Sequence, residues 1–567
     1  MSGRNGRWSW ILLAVALAGM LLCYPPAWYP QGLKLWLASW FGTPSYRSPP
    51  HSMDMPAVNP EPFCPEGAVE SSAAWRAAQE IEGVSIRETE GCFADNPHAV
   101  AAFVRGTNRV SPETLALSGL TPDAVVKGED LDGDGDPDEI HIRLEIVELN
   151  GASSESSELM TQFAIAPGIR PGFWVFAPKL AGMATVNFES LQARDMLRLP
   201  SPAIRVEQGD RVRITLENGH YMPHTLHLHG ADHPFLDVTG EGNDGVPIAS
   251  EVPVMPGGAR TYELTPRNSG TKFYHCHVQP HVHVMMGLQG LFIIEENRPN
   301  NWLQTLNPGA GQVRVPSKAV TERYDREFDL HYADVDQQLN ERIQRHNDPR
   351  TVTRSMHREY DATDATADYF TLNGRSFPYT FRESLVVVKP DESALMRVLN
   401  GGREGISLHT HGHTVTVTHR DGVEVAPEMR ERRDVVWIAP AQRMDLALAT
   451  TNDGHGSYGP GIWLFHDHGK KAVTTDGIGP GGHISAIVYE EFLAENGWPR
   501  TLGVSLEPYF TEDYYRKQLP VWQAYAPRLL SDAGYDLRAL LRLLGLALFG
   551  GMFLAAAWSL FRRRRRV

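Results

Sequence analysis

The chain has 567 residues, which is enough for about three or four domains. Its apolar fraction of 42% is that of a globular protein, and its formal net charge is −15. An acidic balance argues against nucleic-acid binding, because the phosphate backbone is itself negative.

The N-terminal region predicts a membrane anchor. Basic residues precede an apolar run from Trp8 to Tyr24, which ends at Pro25 and Pro26. No small-residue cleavage site follows the run. We therefore predict an uncleaved anchor over residues 1–42 rather than a removed signal peptide.

Residues 43–139 are predicted to form a linker and a small extra region, with helices at Ser71–Glu82 and His98–Gly106. Cys64 and Cys92 are 28 residues apart, and they predict a disulfide if the compartment is oxidising; two free thiols are the alternative.

The acidic run Asp130–Asp138 resembles the start of a calcium-binding loop, with carboxylates at alternate positions and a glycine in sixth place. His141 stands where the closing glutamate of such a loop belongs. Calcium binding and a solvated acidic turn both remain open.

From residue 140 the pattern is that of an all-β protein with two sandwich domains, at 140–297 and 326–495, joined by a linker at 298–325. A helix-prone insertion, Val335–Asn347, interrupts the second domain. The predicted strands are Ile140–Leu149, Phe173–Phe176, Ile204–Glu217, Tyr262–Thr265, Phe273–Val278, Gly290–Glu295, Phe328–Tyr332, Tyr369–Leu372, Leu385–Val388, Leu395–Leu399, Val415–His419 and Ile484–Tyr489.

The C-terminal part is a tether at 496–537, followed by a predicted transmembrane helix within 538–567. The run Leu543–Phe561 is apolar and five arginines follow it. Because arginines mark the cytoplasmic side, we expect both termini in the cytoplasm and the body of the protein outside it.

The segment Thr271–Leu288 contains a thiol, several imidazoles and two thioethers, the ligand set that selects copper. In an extended strand, His275 and His277 point to one side and Cys276 to the other. Cys276, His281 and Met286 are three parts of a blue-copper site, and His224 can complete it. Four His-x-His pairs add eight imidazoles: His227 and His229, His275 and His277, His409 and His411, His466 and His468.

These motifs resemble those of the multicopper oxidases over roughly residues 140–495. The resemblance implies two Greek-key cupredoxin domains and four copper ions per functional unit. It assigns the type 1 copper to His224, Cys276, His281 and Met286, and the type 2 copper to His227 and His409. It assigns the type 3 pair to His229, His275, His277, His411, His466 and His468. His283 and His413 are predicted not to be ligands.

The resemblance further implies an oxidase that transfers electrons from a reductant to O2. The reductant is a phenol, a low-valent metal ion or a redox protein. A blue-copper site in the first of two domains is the arrangement of the two-domain members of the family, which this chain resembles in domain order. Those members are trimers. Asp244 matches the position of a proton-donating acid, whereas Gln279 replaces a second one. A bacterial-type inner membrane with a periplasmic body fits the anchors.

Two alternatives stay open. A copper nitrite reductase also pairs a blue site with an adjacent His-Cys, although it needs fewer histidines. A cupredoxin that only carries electrons would use Cys276 but not the four His-x-His pairs.

Overall fold

The computed structural model describes residues 124–152, 163–179, 197–298, 323–494 and 505–516, the terminal helices, and shorter stretches at 74–76, 78–81, 84–86, 89–90, 100–103, 301, 303, 305–307, 311–314 and 497–502. The predicted disulfide between Cys64 and Cys92 lies outside the described residues.

The first β-sandwich consists of two five-stranded sheets around one core. The first sheet contains, in spatial order, Ala259–Leu264, Arg211–Glu217, Glu139–Leu149 and Val125–Lys127, with Phe173–Pro178 also pairing with Glu139–Leu149. The second contains His227–His229, Gly270–His275, Gln289–Glu295, Ala203–Glu207 and Leu306–Asn307. Buried side chains of both sheets, such as Leu144 and Phe292, meet between them.

Each sheet of this sandwich contains a parallel pair of strands, Glu139–Leu149 with Arg211–Glu217 and Ala203–Glu207 with Gln289–Glu295. The predicted strand Ile204–Glu217 is therefore two strands in different sheets. The chain turns between them at Gly209, whose φ of 98° favours glycine.

The second sandwich has a nine-stranded and a five-stranded sheet. The larger sheet contains Val423–Glu424, Val415–Arg420, Arg443–Ala449, Ser393–Asn400, Arg326–Val335, Gly311–Arg314 and Val100–Phe103, with Tyr369–Leu372 and Arg432–Arg433 beside this path. The smaller sheet contains Val386–Val388, Ile484–Tyr489, Ile462–Asp467, Ile406–Thr410 and Val435–Ile438. Fully buried residues such as Leu446 and Phe465 form the core.

An insertion between the strands Arg326–Val335 and Tyr369–Leu372 reaches from the second domain into the core of the first. It contains short helices at Gln337–Asn340, Arg342–Arg345 and Pro349–Arg354, a π-helical turn at Ser355–Glu359 and a 3-10 turn at Ala362–Asp364. Leu339, Ile343, Val352 and Met356 pack in the same cluster as Cys276. The helix-prone character of this segment is thus confirmed.

The two domains share a buried group of ion pairs. Arg205 of the first domain is fully buried, and its guanidinium lies 3.0 Å from Glu295 and 2.6 Å from Asp329 of the second domain. Arg397 pairs with Glu327 at 2.6 Å and with Asp445 at 3.1 Å. Buried charges are stable only when they are paired, so this group fixes how the domains sit together.

The two helices predicted before residue 110 are wrong where the chain is described. Ala74–Arg76, Gln79–Ile81 and Val84–Ile86 are strands, and Val100–Phe103 is a strand at the edge of the nine-stranded sheet. Its backbone hydrogen-bonds to Gly311–Arg314, and this tertiary pairing overrides local helix propensity.

Further short helical turns lie in the body, at Thr380–Glu383, Pro427–Met429, Lys471–Val473, Glu490–Phe492, Glu507–Phe510 and Glu512–Tyr515. The terminal helices are Arg4–Cys23 and Leu537–Arg564, and they pack against each other. The C-terminal helix includes the segment Leu544–Arg562. Among the described residues, this is the one helical segment that is long and apolar enough to cross a membrane.

Candidate metal centres

Three metal-binding side chains meet in the core of the first domain. The Sγ atom of Cys276 lies 3.3 Å from Nδ1 of His283 and 3.7 Å from Nδ1 of His224. All three residues are fully buried. A thiolate and two imidazoles in one apolar site are the equatorial ligands of a blue copper.

The structure brings His283, and not His281, to Cys276. The strand ends at His275, and Pro280–His283 forms a single helical turn after Gln279, whose φ is 43°. Residues two apart on a helix point to nearly opposite sides, so His283 faces the core while His281 is exposed. The strand alternation that excluded His283 as a ligand does not apply to this turn, and His283 replaces His281 in the candidate ligand set.

Met286 is fully buried in the same cluster, and Met285 is 9% exposed. The backbone carbonyl of Met286 accepts a hydrogen bond from the amide of Trp174, 2.8 Å away. Gly287, with φ of 112°, allows this close approach because a Cβ there would lie 2.7 Å from the carbonyl oxygen of Trp174. The indole of Trp174 meets the rings of His224 and His283 edge-on.

The outer nitrogen of each imidazole meets another histidine. Nε2 of His224 lies 2.9 Å from Nδ1 of the buried His220. Nε2 of His283 lies 3.0 Å from Nε2 of His357, which belongs to the insertion from the second domain. Neither His220 nor His357 belongs to a local sequence motif, so the sequence alone does not single them out.

The first pair of His-x-His motifs forms one cluster, which we term the first quartet: His227, His229, His275 and His277. The strand His227–His229 pairs antiparallel with Gly270–His275, and His227 stands directly opposite His275. Nε2 of His229 lies 2.9 Å from Nε2 of His275, and the ring centroids of His227 and His277 are 5.3 Å apart.

The second quartet is His409, His411, His466 and His468. The strand Ile406–Thr410 pairs antiparallel with Ile462–Asp467, and His409 stands opposite His466, the same register as in the first quartet. Nε2 of His411 lies 3.2 Å from Nε2 of His466. Within the described chain, no ring contact or hydrogen bond joins the two quartets.

The first histidine of each His-x-His-Gly motif donates Nδ1–H to an aspartate carbonyl. His227 donates to Asp244 at 2.6 Å, and His409 donates to Asp434 at 2.9 Å. The Asp244 carboxylate is 3.4 Å from His227 and 3.6 Å from His233. Asp434, which sequence reasoning missed, is thus the counterpart of Asp244 in the second domain.

Backbone carbonyls also fix two further rings. His275 donates Nδ1–H to the carbonyl of Cys276 and His466 donates to that of Asp467, both at 2.9 Å. In each case the lone pair on Nε2 remains for a metal, which is the usual arrangement for a histidine ligand.

The electrostatic setting also suits metal ions. Burial lowers the pKa of His275 to about 3 and that of His229 to about 4, so both imidazoles are neutral at neutral pH. Burial likewise lowers the pKa of His224 and His283 well below the usual value. Burial raises the pKa of the Cys276 thiol to about 11, so a metal ion must displace its proton.

Asp467 and His413, which lie in or beside the second pair of His-x-His motifs, have ordinary structural roles. Asp467 points away from the second quartet, and its carboxylate lies 3.5 Å from Nδ1 of His483. His413 hydrogen-bonds to the Tyr489 hydroxyl at 2.9 Å. Neither residue is a candidate ligand.

The acidic loop brings oxygens of Asp130, Asp132 and Asp138 within 4.8 Å of one another. Asp130 accepts hydrogen bonds from the amides of Gly133, Asp134 and Gly135, which curl the loop around it. His141 bonds to the Thr215 hydroxyl at 2.8 Å instead of closing the loop.

Residues 197–299 and 346–475 match two family models described as multicopper oxidase. The iron transport multicopper oxidase FET3 of Saccharomyces cerevisiae is 27% identical over 283 residues, which are 47% of this chain and 36% of the relative. Laccase-18 of Oryza sativa subsp. japonica is 28% identical over 263 residues, which are 45% of this chain and 37% of the relative.

The chain thus spans little more than a third of the length of these two relatives. Among solved structures, a blue copper oxidase from Nitrosomonas europaea is similar with 24% identity and a TM-score of 0.44, covering 70% of this chain and 95% of that one. The two stretches that match the family models contain His224, Cys276, His283 and both quartets, and the chain belongs to the multicopper oxidase family.

Proposed function

We propose that this protein is an oxidase that couples four one-electron oxidations of a reductant to the reduction of O2 to two water molecules. The observation that carries the proposal is Cys276, whose side chain faces the blue site while its neighbours His275 and His277 belong to the first quartet. One short covalent path therefore joins the two sites.

His224, Cys276 and His283 would hold the type 1 copper, with the buried Met286 from the same cluster as the fourth ligand. His227 and His409 would hold the type 2 copper, and the other six histidines of the quartets would hold the type 3 pair. Copper ions bound there supply the redox chemistry, collecting single electrons and delivering four to O2. The chain's own part is to hold neutral imidazoles in fixed tautomers and to keep the blue site dry.

Protons for water formation come through Asp244, which contacts His227 beside the first quartet. Asp244→Asn is expected to slow O2 consumption by about a hundredfold, since general acid catalysis contributes that order of rate. The rate at which the blue copper is reduced without O2, measured as the loss of its visible absorption, is expected to be unchanged. Equal slowing of both steps would contradict this role.

The complete cluster forms between copies of the chain, because each quartet is partly exposed and the two do not meet within one chain. Exposed apolar side chains lie in chain segments next to each quartet. Val238, Ile248 and Val252 lie in the segments flanking Asp244, with Ile248 95% exposed. Val435 and Trp437 are exposed on the edge strand that pairs with Ile406–Thr410. A head-to-tail ring of three copies buries both faces and closes on itself.

Trp437→Arg tests this assembly, since a charge in an apolar interface is costly. The variant is expected to elute as a monomer in size-exclusion chromatography with light scattering, to keep the blue absorption and to lose the type 2 EPR signal. Leu502→Arg, at another exposed apolar residue, is the control and is expected to leave the assembly intact. A wild-type monomer with about four coppers would contradict the proposal.

The C-terminal helix anchors the protein to a membrane, paired with the N-terminal helix through contacts such as Ser9 with Ser559 at 3.3 Å. A bacterial-type inner membrane with the body on the periplasmic side fits the five arginines at 562–566. Protease protection in spheroplasts tests this topology: the body is expected to be digested from outside.

Calcium binds the loop Asp130–Asp138, where the oxygens of three carboxylates converge. A tenfold excess of Ca²⁺ over its dissociation constant is expected to stabilise the protein by about 1.4 kcal/mol, visible as a higher melting temperature. Asp130→Asn is expected to remove the effect. An identical melting curve in Ca²⁺ and in chelator would contradict calcium binding.

The decisive experiment for the oxidase is copper stoichiometry with visible and EPR spectra on one sample. About four coppers per chain, blue and type 2 signals, and O2 consumption with a reductant are expected. One copper with only the blue signal would indicate an electron carrier, and two coppers with nitrite turnover would indicate a nitrite reductase.

A further inference from the structure

The blue site has no direct opening to solvent at His283, because the insertion from the second domain covers it. His283 is fully buried, and its ring stacks on that of His357 with centroids 5.1 Å apart and planes inclined by 29°. His357 itself is partly exposed. A reductant that approaches this side of the molecule therefore meets His357 and not the ligand.

The covering segment is firmly attached to the first domain. Asn340 donates a hydrogen bond to the carbonyl of Gly172 at 2.6 Å, and the amide of Ala152 donates to the carbonyl of Ile343 at 2.9 Å. Met356, next to His357, is 1% exposed and packs in the core of the first domain. His357 is thus held in place by both domains.

The hydrogen bond between the two rings determines what His357 can offer. A metal ion on Nδ1 of His283 leaves the ring proton on Nε2, which then donates to Nε2 of His357. His357 uses its Nε2 lone pair in this bond and carries its own proton on Nδ1. The remaining ring nitrogen, Nδ1, is therefore an N–H donor, which can bind an oxygen acceptor but cannot ligate a cation.

The charges around His357 point to the same class of ligand. The cationic Arg358 adjoins His357 in the chain, and the imidazole of His281 also acts on it electrostatically. Glu359, the acid on the same turn, is paired with Arg354 at 2.8 Å. A site for Fe²⁺ or Cu⁺ would be expected to present carboxylates or free lone pairs instead.

The geometry points to His357 as the residue that binds the reductant and selects its class: an aromatic hydroxyl compound, bound as a phenolate by the Nδ1–H of His357, in preference to a low-valent metal ion. This inference rests on the proposed oxidase function. Each phenolate loses one electron to the blue site through His357 and His283 and leaves as a phenoxyl radical. Four such oxidations, with four protons taken from solvent, match one O2 reduced to two waters.

The test compares holoenzyme with His357→Phe, which keeps a ring over His283 but removes the N–H donor. The blue absorption and EPR spectrum are expected to be unchanged, because His357 is not a ligand. 4-Nitrophenolate, a phenolate that is hard to oxidise, is expected to show copper-induced NMR relaxation with the wild type, and this relaxation is expected to be lost in the variant. His455→Phe, at an exposed turn, is the control and is expected to behave as wild type.

Kinetics supply the second readout. The anaerobic rate of reduction of the blue copper by 2,6-dimethoxyphenol is expected to fall by about tenfold or more in His357→Phe, the effect of one lost hydrogen bond. The rate with Fe²⁺ is expected to stay within about twofold. Equal effects on both reductants, or wild-type relaxation of 4-nitrophenolate in the variant, would overturn the inference. In that case O2 consumption by the wild type would still support the oxidase function. A failure of the inference about His357 can therefore be told apart from a failure of the proposed function.

Discussion

At the scale of single residues, most of the candidate centre could be predicted because its signals are local. A His-x-His pair on a strand points both imidazoles to one face, and all four pairs form clusters. His283 could not be predicted, because a one-turn helix after Pro280 reverses the facing that strand alternation implies. His220 and His357 are adjacent to the blue site only through tertiary structure.

The substitution His283→Ala is expected to remove the blue absorption, lower the copper content by about one ion per chain and leave the quartet signals in place. His281→Ala is the matched control two residues away, and it is expected to retain the blue absorption because its side chain is exposed. Visible spectra and metal analysis of both variants decide the assignment. Loss of the blue band in His281→Ala would return that residue to the ligand set.

At the scale of elements, the predicted strands were found in both sandwiches, whereas the short strands described within 74–81 and at 100–103 were predicted as helices. The predicted strands Tyr369–Leu372 and Ile484–Tyr489 coincide with the structure, because apolar runs bounded by turn residues specify buried strands. Val100–Phe103 was predicted as a helix, since the partner strand that fixes it lies more than two hundred residues away. The insertion was predictable as helical, but its position over the blue site was not.

The insertion is expected to stabilise the first domain as well as the second. Ile343→Ala is predicted to lower the free energy of unfolding by about 2–4 kcal/mol, because it leaves a cavity in the core that Ile343 shares with Cys276. Arg345→Ala on the same helix is the control; its ion pair with Glu341 is exposed, and it should cost less than about 1 kcal/mol. Urea denaturation measures both. Equal effects would mean that the insertion contributes no core packing.

At the scale of the whole molecule, the arrangement of the domains depends on charges that sequence patterns do not reveal. Arg205 and Arg397 lie among Glu295, Glu327, Asp329 and Asp445 at the domain boundary. Each residue alone reads as an ordinary surface charge, and only the assembled sheets bury them together.

Arg205→Ala is expected to destabilise the protein by about 3–5 kcal/mol, since it leaves buried carboxylates without their partner. Arg350→Ala, whose side chain is 92% exposed, is the control and should change stability by less than about 1 kcal/mol. Calorimetry gives both values. If Arg205→Ala lowers the stability no more than the control does, the domains are held together by apolar packing alone. Leu399 and Phe273 make one such apolar contact.

The lack of contact between the two quartets in the described chain has a consequence for how activity depends on protein concentration. If the trinuclear cluster requires two copies, a dilute detergent-solubilised sample should accept electrons at its blue copper yet lose its ability to consume O2. The terminal helices would prevent this dilution in a bilayer, because they confine the chains to a thin layer and raise their effective concentration. Membrane attachment would then be a condition for oxygen chemistry as well as a means of localisation.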